Sequence, residues 1–355
     1  MRCGSQCCAI TCSAVVWFVL AAFITTYLRI RPDMARSTRL ASTIASKLKA
    51  DEFWLNGDKR HLYAINPSRL LASGKRPSGP TAQRFVDSFI EMYEDEATKN
   101  FISDSVDQAD SVITQLWHSL AKSILSLFYT QTDINGYLRR GSMFVFSEEQ
   151  LKFLLEKANV LKPPIAADFK LGATMIDLGA GDGAPTYKMS KFFDEVHVTE
   201  TSWAMRNILD NKGFKVLEVE SWSSGRPEFY DLVSCLNLLD RCEKPESLLA
   251  EIRGATKPGG LLLVALVLPF RPWVEFGSSK SHKPIENLPI VGDAFESQAF
   301  SFIEYMESAQ SFRLLSWTRV PYLCEGDLAQ SVYVLDDGLF LFVKDNVQSK
   351  VEEKV

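Results

Sequence analysis

The chain has 355 residues, of which 46% are apolar and 23% charged, an ordinary globular balance with room for one large domain plus appendages. The formal net charge of −5 is uneven: residues 1–50 hold seven Lys/Arg against one acid, which leaves 32 basic against 43 acidic residues, or −11, in the rest. That acidic remainder argues against a nucleic-acid substrate, which needs a basic face, and is compatible with a peptide bearing His or basic residues.

From about Cys7 to Leu28 the chain is apolar or small and uncharged, long enough to span a bilayer as a helix. Arg2 before the run and Arg29, Arg31, Arg36 and Arg39 after it would keep the downstream side cytosolic. Two readings compete with an anchor: a cleaved signal peptide, given Ala21-Ala22 near the end of the run, and a mitochondrial presequence, given the Arg/Ser/Ala-rich residues 34–50. Residues 1–30 are thus a signal or anchor and 31–80 a loosely organised linker containing Pro67, Pro77 and Pro80. Four of the seven cysteines (Cys3, Cys7, Cys8, Cys12) precede or begin the apolar run, while Cys235, Cys242 and Cys324 fall in or beside core-like strands, where cysteine acts as a small apolar residue. With only four histidines and no Cys/His zinc spacing, neither a metal nor a disulfide framework is expected.

Residues 81–160 read as a helical cap. Phe85, Phe89, Ile90 and Met92 suggest one amphipathic segment, and Val112, Leu116, Leu120, Ile124 and Phe128 another, with His118 beside it in a structural role. After a break at Ile134-Asn135-Gly136, Arg139 to Ser147 forms a short ordered stretch whose arginines and aromatics can line a closure over a ligand. Ser147 and Gln150 have the capping-box spacing for a helix through Lys157.

The most informative stretch follows. Met175-Ile176-Asp177-Leu178-Gly179-Ala180-Gly181-Asp182-Gly183 reads as a buried strand ending in a glycine turn, where the missing Cβ atoms let a ligand approach the backbone. Pro185 to Phe193 can carry a helix whose first N–H groups point at that ligand. A second strand, Val196 to Thr199, ends on Glu200, an acid suited to a ribose diol. Asp177 and Asp182 would crowd a pyrophosphate with negative charge, but they suit a cationic, phosphate-free nucleoside, and S-adenosylmethionine is that ligand. A helix over Met205–Lys212 capped by Gly213, a third strand at Phe214–Leu217 and a fourth at Tyr230–Asn237 continue the pattern. Trp222, after the third strand, is a candidate stacking partner for adenine, and Asn237, with Asp240 three residues on, stands at the carboxyl edge where open α/β sheets bind ligands. Leu248–Thr256 reads as a helix, Lys257-Pro258-Gly259-Gly260 as a turn, and Leu261–Leu268 as a strand ended by Pro269-Phe270-Arg271-Pro272. Trp273–Pro289 is a loop-like insert, Ala299–Ala309 a helix, and Leu314–Val320 with Tyr333–Val343 a closing antiparallel pair. The fold expected is α/β, a seven-stranded Rossmann-like class I S-adenosylmethionine-dependent methyltransferase over residues 161–343 with an N-terminal helical cap and a tail at 344–355.

Four blocks carry a resemblance: Arg140-Gly141-Ser142-Met143-Phe144-Val145-Phe146-Ser147, Asp177 to Gly183, Ser234-Cys235-Leu236-Asn237-Leu238-Leu239-Asp240-Arg241-Cys242, and Pro321-Tyr322-Leu323-Cys324-Glu325-Gly326-Asp327. With Ala265 to Phe270 and Tyr333 to Asp337 they cover roughly residues 110–343, and the sequence resembles the DREV, or methyltransferase-like protein 9, family. The resemblance implies a protein-histidine methyltransferase acting on the pros nitrogen (Nδ1) of His-x-His sites with a small middle residue. It also implies association with endomembranes such as the endoplasmic reticulum, or with mitochondria.

The chemistry can be argued from the residues. Imidazole has an unperturbed pKa near ~6.5 and needs no strong base to act as a nucleophile at neutral pH. Its Nδ1 lone pair is free only when the proton sits on Nε2, which calls for an acceptor there. Asp240 is the first candidate for that acceptor, with a helix N-terminal role as the alternative. Asn237 suits either the cofactor's amino group or the imidazole; Tyr322 and Tyr333 can wall cofactor or substrate; Glu325 or Asp327 can bind the neighbouring histidine. Tyr333 packing within its strand, and Glu325-Gly326-Asp327 as turn chemistry alone, stay open. The cofactor set is therefore Asp177, Gly179, Gly181, Gly183, Glu200, Trp222, Asn237 and Tyr322, and the catalytic set Asp240, Asn237 and Tyr333. A small-molecule methyltransferase of the same fold and a non-catalytic membrane-associated scaffold are the competing functions.

Overall fold

Continuous apolar runs such as Leu261 to Val267 are what a parallel strand covered on both faces requires, and the sheet is built from them. The structure, a computed structural model, describes residues 37–69, 80–111, 134, 142–162, 169–274, 282–327 and 329–345. The apolar run at 7–28, the amphipathic stripe at 112–128, His118, Arg139 and Arg140 lie outside the described residues. Among the described residues no helix is long and apolar enough to cross a membrane.

The chain divides into two compact units, residues 1–54 and 55–355. Part of the stretch read as linker is helix α1 (Ser37–Asn56), which runs two residues past the end of the first unit and carries a Lys47–Asp51 ion pair one turn apart at 2.9 Å. The prolines that suggested a linker all lie beyond it.

The second unit carries the helices α2 (Pro80–Asp87) and α3 (Glu96–Asp110), then strand β1 (Met143–Phe144) and helix α4 (Glu148–Lys157). Both halves of the expected capping box are present at α4: Ser147 Oγ accepts from the Gln150 backbone and Gln150 Oε1 from the Ser147 backbone, each at 2.9 Å. The alternating core follows as β2 (Gly172–Leu178), α5 (Ala184–Ser190), β3 (Phe193–Thr199), α6 (Trp203–Asn211), β4 (Lys215–Leu217), β5 (Tyr230–Leu236), α7 (Pro245–Ala255) and β6 (Thr256–Val267). It closes with α8 (Phe295–Ala309), β7 (Phe312–Glu325) and β8 (Val332–Lys344).

The strands form one sheet in the order β1-β7-β8-β6-β5-β2-β3-β4. Strands β4, β3, β2, β5 and β6 are mutually parallel, whereas β8 runs antiparallel to β6, and β7 antiparallel to β8. These are the seven strands expected; two-residue β1, paired antiparallel to β7 through Met143–Cys324 and Phe144–Leu323, makes an eighth. The order reverses between β2 and β5, so their carboxyl ends diverge into a crevice there, and Asn237 and the glycine turn flank it.

The core lies on the α7/α8 side, where Ile176, Val233, Leu262, Val264, Phe302, Phe340 and Phe342 pack together. Each such side chain contributes about 1.5–3 kcal/mol by leaving water. Helix α2 joins this core through Phe85, whose ring lies 4.4 Å from that of Trp317 and whose carbonyl accepts the indole N–H at 2.8 Å.

Candidate active site

The glycine turn after β2 is stitched to the end of β3. Ala180 N donates to Thr199 O at 3.0 Å, Gly179 N to Thr199 Oγ1 at 3.2 Å, and Gly181 N to Glu200 Oε2 at 2.9 Å. The other Glu200 oxygen accepts from Thr201 N at 2.8 Å and Ser202 N at 2.9 Å, where a negative charge also favours the start of α6. Glu200 thus holds the turn and the next helix in register. Gly181 has φ +56° and nothing within 4 Å of where a Cβ would stand, so its bare face is open to a ligand. At Gly183 an added Cβ would meet Leu209 Cδ2 at 2.7 Å, so this glycine serves the packing of α5 against α6.

Asp177, at the end of β2, is buried and accepts from Ser234 Oγ at 2.6 Å and Thr186 Oγ1 at 2.5 Å. Burial pushes its carboxyl up to about 6, against the pull of those two hydroxyls, and the charge of Glu200 adds to the rise. Because the folded-state value is raised, its contribution to stability is present below the ordinary carboxylate range and is lost as pH rises through about 6. A rise of about two units corresponds to about 3 kcal/mol. Asp177→Asn is therefore expected to be more stable than the wild type at pH 8, by up to that amount less the cost of re-pointing one hydroxyl. The advantage should shrink as pH falls towards 4, which urea denaturation across the range would check.

A second polar cluster sits past the carboxyl end of β5. Asn237 has φ +54°, and its Nδ2 donates to Asp337 Oδ2 on β8 at 2.7 Å. Asp337 is fully buried; burial pushes its carboxyl well above the ordinary range, the Asn237 amide opposes this, and the charges of Asp240 and Asp336 reinforce it. Asp240 is 3% exposed, its Oδ2 lies 3.1 Å from Arg241 Nε, and its backbone carbonyl accepts from Trp273 N at 2.7 Å. Burial raises the Asp240 carboxyl too, with Arg241 opposing. Asn237 Oδ1, Asp240 Oδ1 and Asp337 Oδ1 are all buried without a hydrogen-bond partner. An unpaired buried acceptor costs about 1–3 kcal/mol, so three together mark where a ligand brings donors and positive charge.

Between the two clusters lies a cavity bounded by Gly179 to Asp182, by Leu236 and Asn237, and by Met143, Val145 and Tyr322. The Tyr322 hydroxyl donates to the Met143 sulfur, and burial keeps that phenol neutral by pushing its pKa well up. Lys188 on α5 donates to Phe146 O at 2.6 Å and lies 4.2 Å over the Phe144 ring, which pins the Met143–Phe146 segment over the turn. Burial lowers its ammonium to about 8. A cradle open at Gly181, acids around it and orphan acceptors opposite fit an adenosyl ligand with an ammonium and a sulfonium. Gly179 and Gly181 would hold its backbone-facing side, and Asn237 its amino group.

Of the residues expected from sequence, Asp177, Gly179, Gly181, Asn237 and Tyr322 border this cavity. Trp222 is 3% exposed and packs in the core against Tyr230, so its indole is structural and offers no open face for stacking. Tyr333 is 41% exposed and donates to Asp327 Oδ2 at 3.2 Å. Asp327 also closes its own turn, accepting from Ala329 N at 2.8 Å, and Glu325 pairs with Ser142 across the β7–β1 edge, N to O at 2.9 Å. Sequence reasoning missed Asp337, Ser234 and Thr186. An acid inside the apolar strand Val332–Lys344 was a legible signal for the first.

Comparison with known proteins places the chain. The sequence is similar to a ubiquinone biosynthesis O-methyltransferase of Paraburkholderia xenovorans (strain LB400), 21% identical over 172 residues, or 46% of this chain and 69% of that protein. Among solved structures, the DszA carbon methyltransferase covers 70% of this chain and 71% of its own at 16% identity, with a TM-score of 0.39. The N-methyltransferase NodS from Bradyrhizobium japonicum, solved with S-adenosyl-L-homocysteine, covers 49% and 79% at 14% identity, with a TM-score of 0.33. A sequence model of the DREV methyltransferases matches residues 78–344, which takes in the whole sheet. The chain belongs to the DREV methyltransferase family and uses S-adenosylmethionine as its cofactor.

Proposed function

We propose that this methyltransferase acts on protein histidine, methylating Nδ1 in His-x-His sites. The observation that carries the reading is Asp240 Oδ1, a buried carboxylate oxygen with no donor, three residues beyond the Asn237 that borders the cofactor cavity. A neutral imidazole bearing its proton on Nε2 supplies that donor and leaves the Nδ1 lone pair free. S-adenosylmethionine supplies a methyl group on a sulfonium, so that the Nδ1–C bond forms as the C–S bond breaks and its electron pair passes to sulfur. Asp240 fixes the tautomer by accepting the Nε2–H, and its charge stabilises the imidazolium as the methyl arrives. Asp240 and Asn237 hold the reacting partners in line, which is where most of the rate in such a displacement arises. The segment Met143 to Phe146, pinned by Lys188, shields the cavity from water.

Tyr333, Leu335 and Asp337 alternate onto one face of β8, and Leu335 lies opposite Tyr322 in the β7–β8 register. That face leads from the cavity to the Tyr333–Asp327 pair, where the neighbouring histidine of the motif would sit, whereas Glu325, opposite Val332, starts on the other face. The uncharged run at 7–28 supports membrane association and an endoplasmic-reticulum or other endomembrane setting, with a mitochondrial one as the alternative. The O-methyltransferase relative keeps a small-molecule acceptor as the second reading. Incubating the full chain with S-adenosylmethionine and, separately, a His-Ala-His peptide, its His-Ala-Ala counterpart, free imidazoles and quinols separates them. Methyl gain on the first peptide alone is expected; gain on a quinol but on neither peptide would overturn the reading.

A further inference from the structure

The structure assigns Asp337 as a positioning residue that sets which end of the Asn237 amide faces the cofactor. An asparagine amide can present either its carbonyl oxygen or its NH2 group, and the hydrogen-bond network decides which. Here Asp337 Oδ2 receives the Nδ2–H at 2.7 Å. The Asn237 amide favours the ionised form of Asp337 against burial; in that form the carboxylate can only accept, so the NH2 group turns towards it and Oδ1 is left as the amide atom available to the cavity. That Oδ1 is buried and unpartnered, and Asn237 borders the same cavity as Gly179 and Gly181. The left-handed backbone at Asn237, φ +54°, and the pairing of its own N–H to Ala265 O at 2.9 Å fix where the side chain starts, and the Nδ2 bond to Asp337 then sets how the amide is turned.

Among the described residues, Asn237 and Asp240 reach Asp337 from the β5 end, Tyr322 and Cys324 face it from β7, and Asp336 acts from its own strand, while Arg241 is paired with Asp240 at 3.1 Å. Burying an ionised acid there is costly, and the α-ammonium of a bound ligand, donating to Asn237 Oδ1, would offset it. Asp337 thus acts through Asn237, confers preference for a ligand with an amino group, and is independent of whether the methyl acceptor is histidine.

The test compares two ligands on the full-length protein, S-adenosylhomocysteine and its analogue lacking only the α-amino group, by calorimetry. The wild type is expected to prefer the first by at least tenfold. Asp337→Asn keeps size and shape but lets the amide face either way, so the preference should fall to within about twofold, mainly by loss of S-adenosylhomocysteine affinity. The exchange Asn237→Asp/Asp337→Asn again places an amide against a carboxylate and leaves an acceptor towards the cavity, so it should regain the preference. It also keeps the pair testable if the single variant does not fold. An Asp337→Asn protein that retains the wild-type preference, one that loses both ligands equally, or an exchange variant without the preference would overturn the assignment.

Discussion

Glu200→Ala is expected to weaken S-adenosylmethionine binding by at least about 100-fold. The side chain has two tasks. It holds Gly181 N, Thr201 N and Ser202 N at 2.8–2.9 Å, which fixes both the open face of the glycine turn and the start of α6. Oε2, which accepts only from Gly181 N, also keeps a lone pair for a hydroxyl of the ribose, whereas both lone pairs of Oε1 are taken by Thr201 N and Ser202 N. A hydrogen bond to a charged group is worth about 1.5–3 kcal/mol, so the ribose contact alone accounts for about one to two orders of magnitude, and loosening of the Gly181 turn adds to it. Losing the three backbone partners should also lower folding stability by about 2–4 kcal/mol. Glu200→Gln, which keeps one acceptor, should fall between. Calorimetry with S-adenosylhomocysteine beside urea denaturation would check both numbers, and affinity within threefold of the wild type would exclude the ribose role.

Asp240→Ala has the opposite signature. Turnover on a histidine peptide is expected to fall by about 100-fold or more, the size seen when one oriented group at a developing charge is removed. Cofactor affinity should stay within about threefold, because Asp240 does not border the cofactor cavity. Stability should hold as well: the substitution removes a buried, costly charge, and Arg241, its partner at 3.1 Å, has a half-exposed side chain that water can solvate. Asp240→Asn retains an acceptor without the charge and should recover part of the rate. Single-turnover kinetics with saturating cofactor separate the two effects. Full activity of Asp240→Ala would remove it as the tautomer-fixing acceptor.

The sequence carried the sheet and most of the cavity because both depend on local pattern. Apolar runs ending in Asp177-Leu178-Gly179 and in Leu236-Asn237 mark two parallel strands and the crevice between them. Ser147 and Gln150 announced their helix through two backbone bonds that depend on three-residue spacing alone. Where readings failed, tertiary context outweighed a local cue. Lys257-Pro258-Gly259-Gly260 looks like a turn, yet β6 begins at Thr256, since Thr256 pairs with Tyr230 across an irregularity before the regular register starts at Leu232–Leu261. Pro321 looks like a strand end, yet β7 runs through it to Glu325. Its neighbour on one side is Asp336, while on the other β1 pairs only at Leu323 and Cys324, so the missing N–H leaves no ladder bond unmade. Trp222 was a candidate for stacking on adenine by its position after the third strand, and it packs in the core against Tyr230. Asp337 lies a hundred residues from Asn237, and no spacing rule connects them.

Which imidazole nitrogen receives the methyl follows from the tautomer that Asp240 holds. The most direct test incubates the full-length protein with S-adenosylmethionine and a His-Ala-His peptide, then determines by mass spectrometric fragmentation and NMR where the methyl resides. One methyl on Nδ1 of one imidazole is the result the site predicts, because Asp240 holds the proton on Nε2. A methyl on Nε2, or no methyl while cofactor still binds, would contradict it.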